Sequence, residues 1–193
     1  MTEWMIFIII LILILNFITL VAVLLFIYFY YEYQNSLVPS KIDDHFYIGN
    51  RHSILYYEIF EWDRILSING DPHYEYDHIL NSNTKHMHIQ SDDYGSGINP
   101  KILYEALEFL IQGYNKNEKI LIHCVVGKNR SVSLLCAFYM HQYNIKFSQA
   151  LKFIKEKRKI ASVTLFQKNK IINSLQFLKS KSLPEIVKTI HHK

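Results

Sequence analysis

Residues 119–131 read KILIHCVVGKNRS and run directly into VSLLCAFYM, which carries the chain to Met140. An apolar strand, a short loop with one glycine and a helix start follow one another. Ile120, Leu121 and Ile122 are apolar whichever way their side chains point, as suits a central parallel strand covered on both faces. His123 and Cys124 then fall at the C-terminal edge of that strand, where open α/β sheets bind their ligands. Between Cys124 and Arg130 the chain must reverse. Consecutive backbone N–H groups in such a turn, with the N-terminus of the next helix, form a concave anion site. A cysteine on its rim feels a positive field that favours thiolate over thiol.

Arg130 stands six residues after the cysteine, so its planar fork can fold over the same concavity and take two oxygens of a tetrahedral oxyanion. Ser131 can donate its hydroxyl to the sulfur, stabilising the thiolate and helping it depart later. Gly127 permits the tight backbone, and Lys128 adds charge at the rim. Nucleophile, amides and bidentate cation surround one phosphate-sized hole. The structural alternative is an inert buried cysteine beside a helix-capping serine.

The string HCVVGKNRS resembles the H-C-x5-R-S signature of the cysteine-dependent protein tyrosine phosphatases, specifically the dual-specificity group. His123, Cys124, Gly127, Arg130 and Ser131 all fall in register. Further upstream, IDDHFYIGN (residues 42–50) is similar to the opening strand of such domains. The resemblance covers roughly Lys41 to Leu178. It implies an α/β fold with a mixed central sheet flanked by helices. It also implies a phosphate cup formed by Val125, Val126, Gly127, Lys128, Asn129 and Arg130, with His123 orienting the cysteine.

Phosphomonoester cleavage by sulfur needs a proton for the departing oxygen. In the resembling family that acid lies about thirty residues before the cysteine, with an aliphatic residue six positions after it. Asp92 fits, with Ile98 at the sixth position; Asp93 is the neighbour that can exchange roles with it. The two aspartates end a strand expected to run beside the signature strand. The implied chemistry is a two-step displacement through a cysteinyl phosphate with no cofactor and no metal, on a phosphorylated protein carrying phosphotyrosine, phosphoserine or phosphothreonine. Lys128 occupies a position where phosphoinositide-directed relatives also carry lysine, which keeps a phosphoinositide or other anionic phosphate ester as the second substrate class. Those relatives add a basic residue right after the cysteine, where Val125 stands here. A non-catalytic phosphoprotein binder is the third reading, and the presence of both Cys124 and Arg130 argues against it. No nucleic-acid partner is expected.

The front of the chain is of another kind. Trp4 to Tyr31 reads WMIFIIILILILNFITLVAVLLFIYFYY and carries no charge. As a helix it would extend roughly 42 Å, enough to cross a ~30 Å hydrocarbon core with tilt. It lacks the basic start and small-residue cleavage site of a signal peptide, so a retained transmembrane anchor is expected. Tyr28, Tyr30, Tyr31 and Tyr33 suit an interfacial belt, with Trp4 marking the opposite face. No Lys or Arg precedes the span, whereas Lys41 and Arg51 follow it, a bias that puts the C-terminal domain in the cytoplasm. The expected organisation is an anchor over 1–33, a tether over 34–40, a catalytic domain over 41–179 and a basic tail over 180–193.

Two cysteines in 193 residues exclude a disulfide framework. A net charge of +4 fits attraction to anionic lipid or phosphorylated substrate, and fits plain solubility equally. Between the anchor and the signature, strands are expected over Phe46–Ile48, Arg64–Asn69 and His86–Gln90, and a helix capped by Ser53 as far as Phe60. Irregular structure or a short helix is expected from Gly70 to Asn83. Asn99 and Pro100 open a helix whose Ile102, Leu103, Ala106, Leu107, Leu110 and Ile111 form one apolar stripe. Later helices are expected over 131–143, over 149–158 with Ser148 as cap, and over 166–178. His86 and His88 share a strand face, but no H-x-x-C or H-E-x-x-H partner accompanies them, so they read as polar strand side chains.

Overall fold

The computed structural model describes residues 3–70, 83–91 and 98–180. The Asp92–Asp93 loop, the polar stretch 71–82 and the tail 181–193 lie outside the described residues. The chain divides into two compact units, Met1–Leu37 and Val38–Lys193.

The first unit is one helix, α1, Glu3–Leu37. Its run Glu3–Tyr30 contains an 18-residue window with a mean hydropathy of 3.3 and is long and apolar enough to cross a membrane. From Trp4 to Tyr30 its large apolar side chains are exposed on every face. A helix apolar all round belongs in a core or in lipid, where each backbone group must be satisfied internally. Thr19 obeys that rule for its side chain. Its Oγ1 donates back to the carbonyls of Leu15 at 3.1 Å and Asn16 at 2.8 Å.

The second unit is built on five strands: β1 Ser40–Lys41, β2 Phe46–Gly49, β3 Arg64–Asn69, β4 Lys85–Gln90 and β5 Ile120–Cys124. They lie in the order β1-β2-β5-β3-β4. β1 pairs antiparallel with β2 and every other pairing is parallel, so the sheet is mixed. All five residues of β5 and all six of β3 are buried, which is the signature of interior strands. β4 exposes Lys85, His86, His88 and Gln90 and buries Ile89, which is how an edge strand reads. The expectation that the aspartate-bearing strand runs beside the signature strand is therefore corrected. β3, buried along its whole length, takes the place next to β5 and leaves the half-exposed β4 outside.

Alternation along β5 divides the core in two. Ile120, Ile122 and Cys124 face the larger cluster, formed with α3 Pro100–Asn115, α4 Arg130–Tyr143, α5 Phe147–Lys157 and α6 Leu165–Ser180. Leu121 faces a smaller cluster with Tyr47, Ile54, Trp62 and Ile65. That side is covered by a 3₁₀ helix, Arg51–Tyr56, running into a short α2, Tyr57–Phe60, where the sequence suggests one continuous helix.

Asn99 caps α3 as expected, its Oδ1 accepting from the Ile102 N–H at 3.0 Å, with Pro100 in the first turn. Leu103, Ala106, Leu107 and Leu110 are buried, while Ile102 and Ile111 pack only partly. Ser148 does not cap α5. The helix starts at Phe147, and Gln149 reaches back to accept from the Lys146 N–H at 2.9 Å, because burying Phe147 draws it into the first turn.

At the far end of the sheet from Cys124, Arg64 is 2% exposed and pairs with Glu118. It also donates to the Phe109 carbonyl at 3.2 Å and lies over the Phe109 ring. Burial pushes the Glu118 carboxyl up, but hydrogen bonds from Arg64 and Lys85 outweigh it and hold the group below its ordinary range.

Candidate active site at the β5–α4 turn

Cys124 closes β5 and Arg130 opens α4, leaving Val125 to Asn129 to turn the chain. The loop carbonyls each find a partner outside the turn. Val125 O accepts from the Arg51 N–H at 3.3 Å and Lys128 O from the Ser162 N–H at 2.9 Å. Gly127 O and Val126 O accept from Arg158, through Nε at 2.7 Å and Nη2 at 3.4 Å. In a trans peptide C=O and N–H point in opposite directions, so carbonyls held outward turn the N–H groups of residues 126 to 129 inward. That is a cradle for an anion.

The sulfur already uses part of it. The Gly127 N–H donates to Cys124 Sγ at 3.2 Å, and Ser131 Oγ lies 3.4 Å from the same atom. Burial alone would push this thiol up. The Ser131 hydroxyl and amide, the Arg130 guanidinium and the Lys128 amide together bring it below its ordinary value. Gly127 is required by geometry. Its φ of +69° is a left-handed conformation, and a Cβ there would run into the Gly49 carbonyl at the end of β2.

Arg130 is 4% exposed. Its Nη1 donates to the Ser91 carbonyl at 2.7 Å, tying the cup to the end of β4 across the width of β3. Asp92 is the next residue after Ser91 and lies outside the described residues, as does Asp93. The guanidinium therefore binds Ser91, a residue that strand order alone would hold one strand away. Val125 and Val126 expose their side chains, as does Lys128, while Asn129 turns its Oδ1 outward to accept from the Thr164 N–H at 3.1 Å.

His123 is wholly buried beside the cysteine, with Nε2 2.6 Å from Ser67 Oγ. Burial, then the neighbouring His86 and His88, outweigh the Cys124 backbone and lower its pKa to about 3, so the ring is neutral at physiological pH. His86 and His88 are committed to the adjoining strand. His86 Nε2 lies 2.8 Å from Ser67 Oγ, and His88 bonds to Asn69.

Arg158 is the residue that motif reading missed. It is 3% exposed at the end of α5, and its Nη1 also donates to Ser40 Oγ at 3.0 Å. Burial lowers its pKa to about 10, with the Cys124 charge pushing the other way, so it stays cationic. The two carbonyls it grips belong to the peptide units whose N–H groups serve the sulfur, those of Gly127 and Lys128. A signal was present: Arg158 follows Ala150 and Ile154 at four-residue spacing, on the buried stripe of the helix.

The family model of the dual specificity phosphatase catalytic domain matches residues 47–191. A putative tyrosine-protein phosphatase of Acanthamoeba polyphaga mimivirus is 38% identical over 64 residues, 33% of this chain and 30% of that one. Dual specificity protein phosphatase 1 of Arabidopsis thaliana is 36% identical over 58 residues, 30% of this chain and 29% of that one. The matched part is thus under a third of the length of either relative. Among solved structures, PTPMT1 in complex with PI(5)P superposes with a TM-score of 0.60 at 14% identity, over 72% of this chain and 96% of that one, a likeness of fold.

Proposed function

Because the chain belongs to the dual specificity phosphatase catalytic-domain family, we propose that it is a membrane-anchored, cysteine-dependent protein phosphatase acting on phosphotyrosine and on phosphoserine or phosphothreonine. The observation that carries this reading is a buried sulfur whose ionisation is favoured in spite of its burial, inside a ring of inward-turned amides. An inert core cysteine has no such surroundings.

In the first step Cys124 Sγ forms a bond to phosphorus as the bond from phosphorus to the ester oxygen breaks. Asp92 gives its proton to that oxygen, while Arg130 and the loop amides hold the equatorial oxygens. In the second, water attacks phosphorus, its proton passes to the Asp92 carboxylate and the S–P bond breaks. Ser131 donates to the departing thiolate. Cation and amides supply the charge stabilisation, so the route calls for no metal or cofactor.

The organisation that goes with this reading is a single-pass anchor over 1–33, a tether over 34–40, a catalytic domain over 41–179 facing the cytoplasm and a basic tail over 180–193. Its support is the uncharged span of α1 and the basic residues Lys41 and Arg51 that follow it. A second reading, a phosphoinositide substrate, is favoured by Lys128 exposed at the cup and by the nearness to headgroups that an anchor would impose. The fold neighbour PTPMT1 was solved with PI(5)P bound.

Hydrolysis of para-nitrophenyl phosphate by the full chain in detergent micelles tests the reading. Cys124→Ser should remove activity, by on the order of 10⁴-fold or more; turnover that survives the substitution overturns the mechanism. Rates on phosphopeptides against short-chain phosphoinositides, with Lys128→Ala, separate the two substrate classes, since a loss confined to the lipid promotes the second. Asp92→Ala should cost about 10²- to 10⁴-fold, most for poor leaving groups. A larger loss in Asp93→Ala reverses that assignment.

A further inference from the structure

Three separate stretches of chain meet around the mouth of the cup. The loop itself is one. The approach to α6 is tied to it, the Ser162 N–H donating to the Lys128 carbonyl at 2.9 Å and the Thr164 N–H to Asn129 Oδ1 at 3.1 Å. The entry to the domain is tied to it through Arg158, which donates to Ser40 Oγ at 3.0 Å and to the Gly127 carbonyl at 2.7 Å.

Each stretch exposes apolar side chains. Val126 is exposed on the loop and Val38 on the entry, while Leu165 and Phe166, in the first turn of α6, are 69% and 51% exposed. Cations stand among them. Lys128 is exposed on the loop, and Lys170 Nζ lies 5.0 Å from the centre of the Phe166 ring. From Lys119 to Ser180 the chain has a single acidic residue, Glu156, and Lys155 and Lys157 flank it. Apolar tips set among lysines suit the boundary of an anionic bilayer. There the apolar groups reach the acyl chains and the ammonium groups meet lipid phosphate.

Chain length puts such a surface within reach. The apolar span ends at Tyr30, and α1 continues to Leu37. Seven residues of helix rise roughly 10 Å, and headgroups occupy about 5–7 Å beyond the hydrocarbon. Ser40 comes three residues after Leu37, at most about 11 Å of extended chain. The residue that shares Arg158 with the loop is thereby leashed close to the headgroups. A soluble protein meets the patch only at its own concentration, whereas a bilayer at the end of so short a leash is presented at a high effective concentration.

We propose that the rim of the cup, carrying Val126, Leu165 and Phe166 with Lys128 and Lys170, docks on an anionic membrane surface, so that the cup opens on phosphate esters held at that surface. The docking rests on the reading of α1 as an anchor. It adds Leu165, Phe166 and Lys170, which lie outside the signature loop.

The test uses the full chain in vesicles of phosphatidylcholine and phosphatidylserine with brominated acyl chains, which quench tryptophan by contact. Trp4→Phe removes the tryptophan of α1, and buried Trp62 is a constant background. Leu165→Trp should lose much of its added emission, and should lose less when phosphatidylserine is left out. Ile59→Trp should keep its emission. That site is exposed too, but it lies at the opposite end of the sheet, where the Phe60 carbonyl accepts from Lys119 ahead of β5. Phe166→Glu, which suits the start of a helix, should leave para-nitrophenyl phosphate hydrolysis unchanged. It should slow hydrolysis of a lipid-tethered phosphopeptide in the same vesicles about tenfold, the worth of one large apolar side chain returned to water, and spare the same peptide free in solution. Equal quenching at positions 165 and 59 in protein that survives an alkaline carbonate wash overturns the docking alone, as does an equal loss on tethered and free peptide. Release by carbonate overturns the anchor and the docking with it. Absence of para-nitrophenyl phosphate hydrolysis alongside the expected quenching would instead count against the phosphatase reading and leave the docking standing.

Discussion

Cys124 and Cys136 are twelve residues apart in one strand–loop–helix unit, and both are buried, at 2% and 0% exposure. Burial dominates at Cys136, where nothing opposes it and the thiol is pushed up. At Cys124 the same penalty is overcome by the Ser131 hydroxyl, the loop amides and Arg130. The two sites share residue type and depth, so the contrast isolates the cause. Thiolate character here comes from donors aimed at one point, and the distance from solvent works against it.

That contrast can be broken at its supports. Removing Arg158 should do most, since Arg158→Leu frees two loop carbonyls and lets the Gly127 and Lys128 amides drift from the sulfur. We expect kcat to fall about 10²-fold, the cost of misplacing a reacting group by about 1 Å, measured by steady-state hydrolysis in micelles. Ser131→Ala takes away one donor and leaves the cradle, so alkylation of Cys124 at pH 6 should slow about 3- to 10-fold, the worth of one hydrogen bond.

The smallest effect belongs to Cys136. Cys136→Ala should leave hydrolysis unchanged and cost about 1–2 kcal/mol of stability for the space it empties. It should also change the pH dependence of stability. A thiol raised in the folded state contributes stability that is full below the ordinary value of 9.0 and is lost as pH climbs above it. A thiol lowered in the folded state, as at Cys124, contributes stability that is present above 9.0 and is lost as pH falls through the lowered value. Thermal unfolding of the Cys136→Ala protein should therefore lose less stability between pH 8 and pH 10 than the unaltered protein does, an alkaline window about one unit either side of a thiol's reference value.

Much of this was legible in the residues themselves. RILSIN is a strand over its full expected length, Asn99 and Pro100 open the helix they announce, and HCVVGKNRS brings Cys124, Gly127, Arg130 and Ser131 together. These are local matters of turn chemistry, capping and short spacing. Strand order was not legible, because nothing in KHMHIQ says whether it meets β5 or β3; the outcome depends on which strand buries both faces. Arg158 and Ser67 escaped for a related reason. Their partners are 31 and 56 residues away, and only the closed sheet with its covering helices brings them within reach. Arg130 was read as a clamp for oxyanions, and its bond to Ser91 O could not have been inferred without knowing where β4 ends.

Ser40 is three residues beyond the last residue of α1. The first polar side chain that the folded domain seizes as the chain enters it is thus held by the guanidinium that grips the cysteine's loop. The same Ser40 is also paired, through its backbone, with the core residue Ile48 of β2. The opening strand of the domain and the backbone beside the sulfur thus share one guanidinium, through two hydrogen bonds, one of 3.0 Å and one of 2.7 Å.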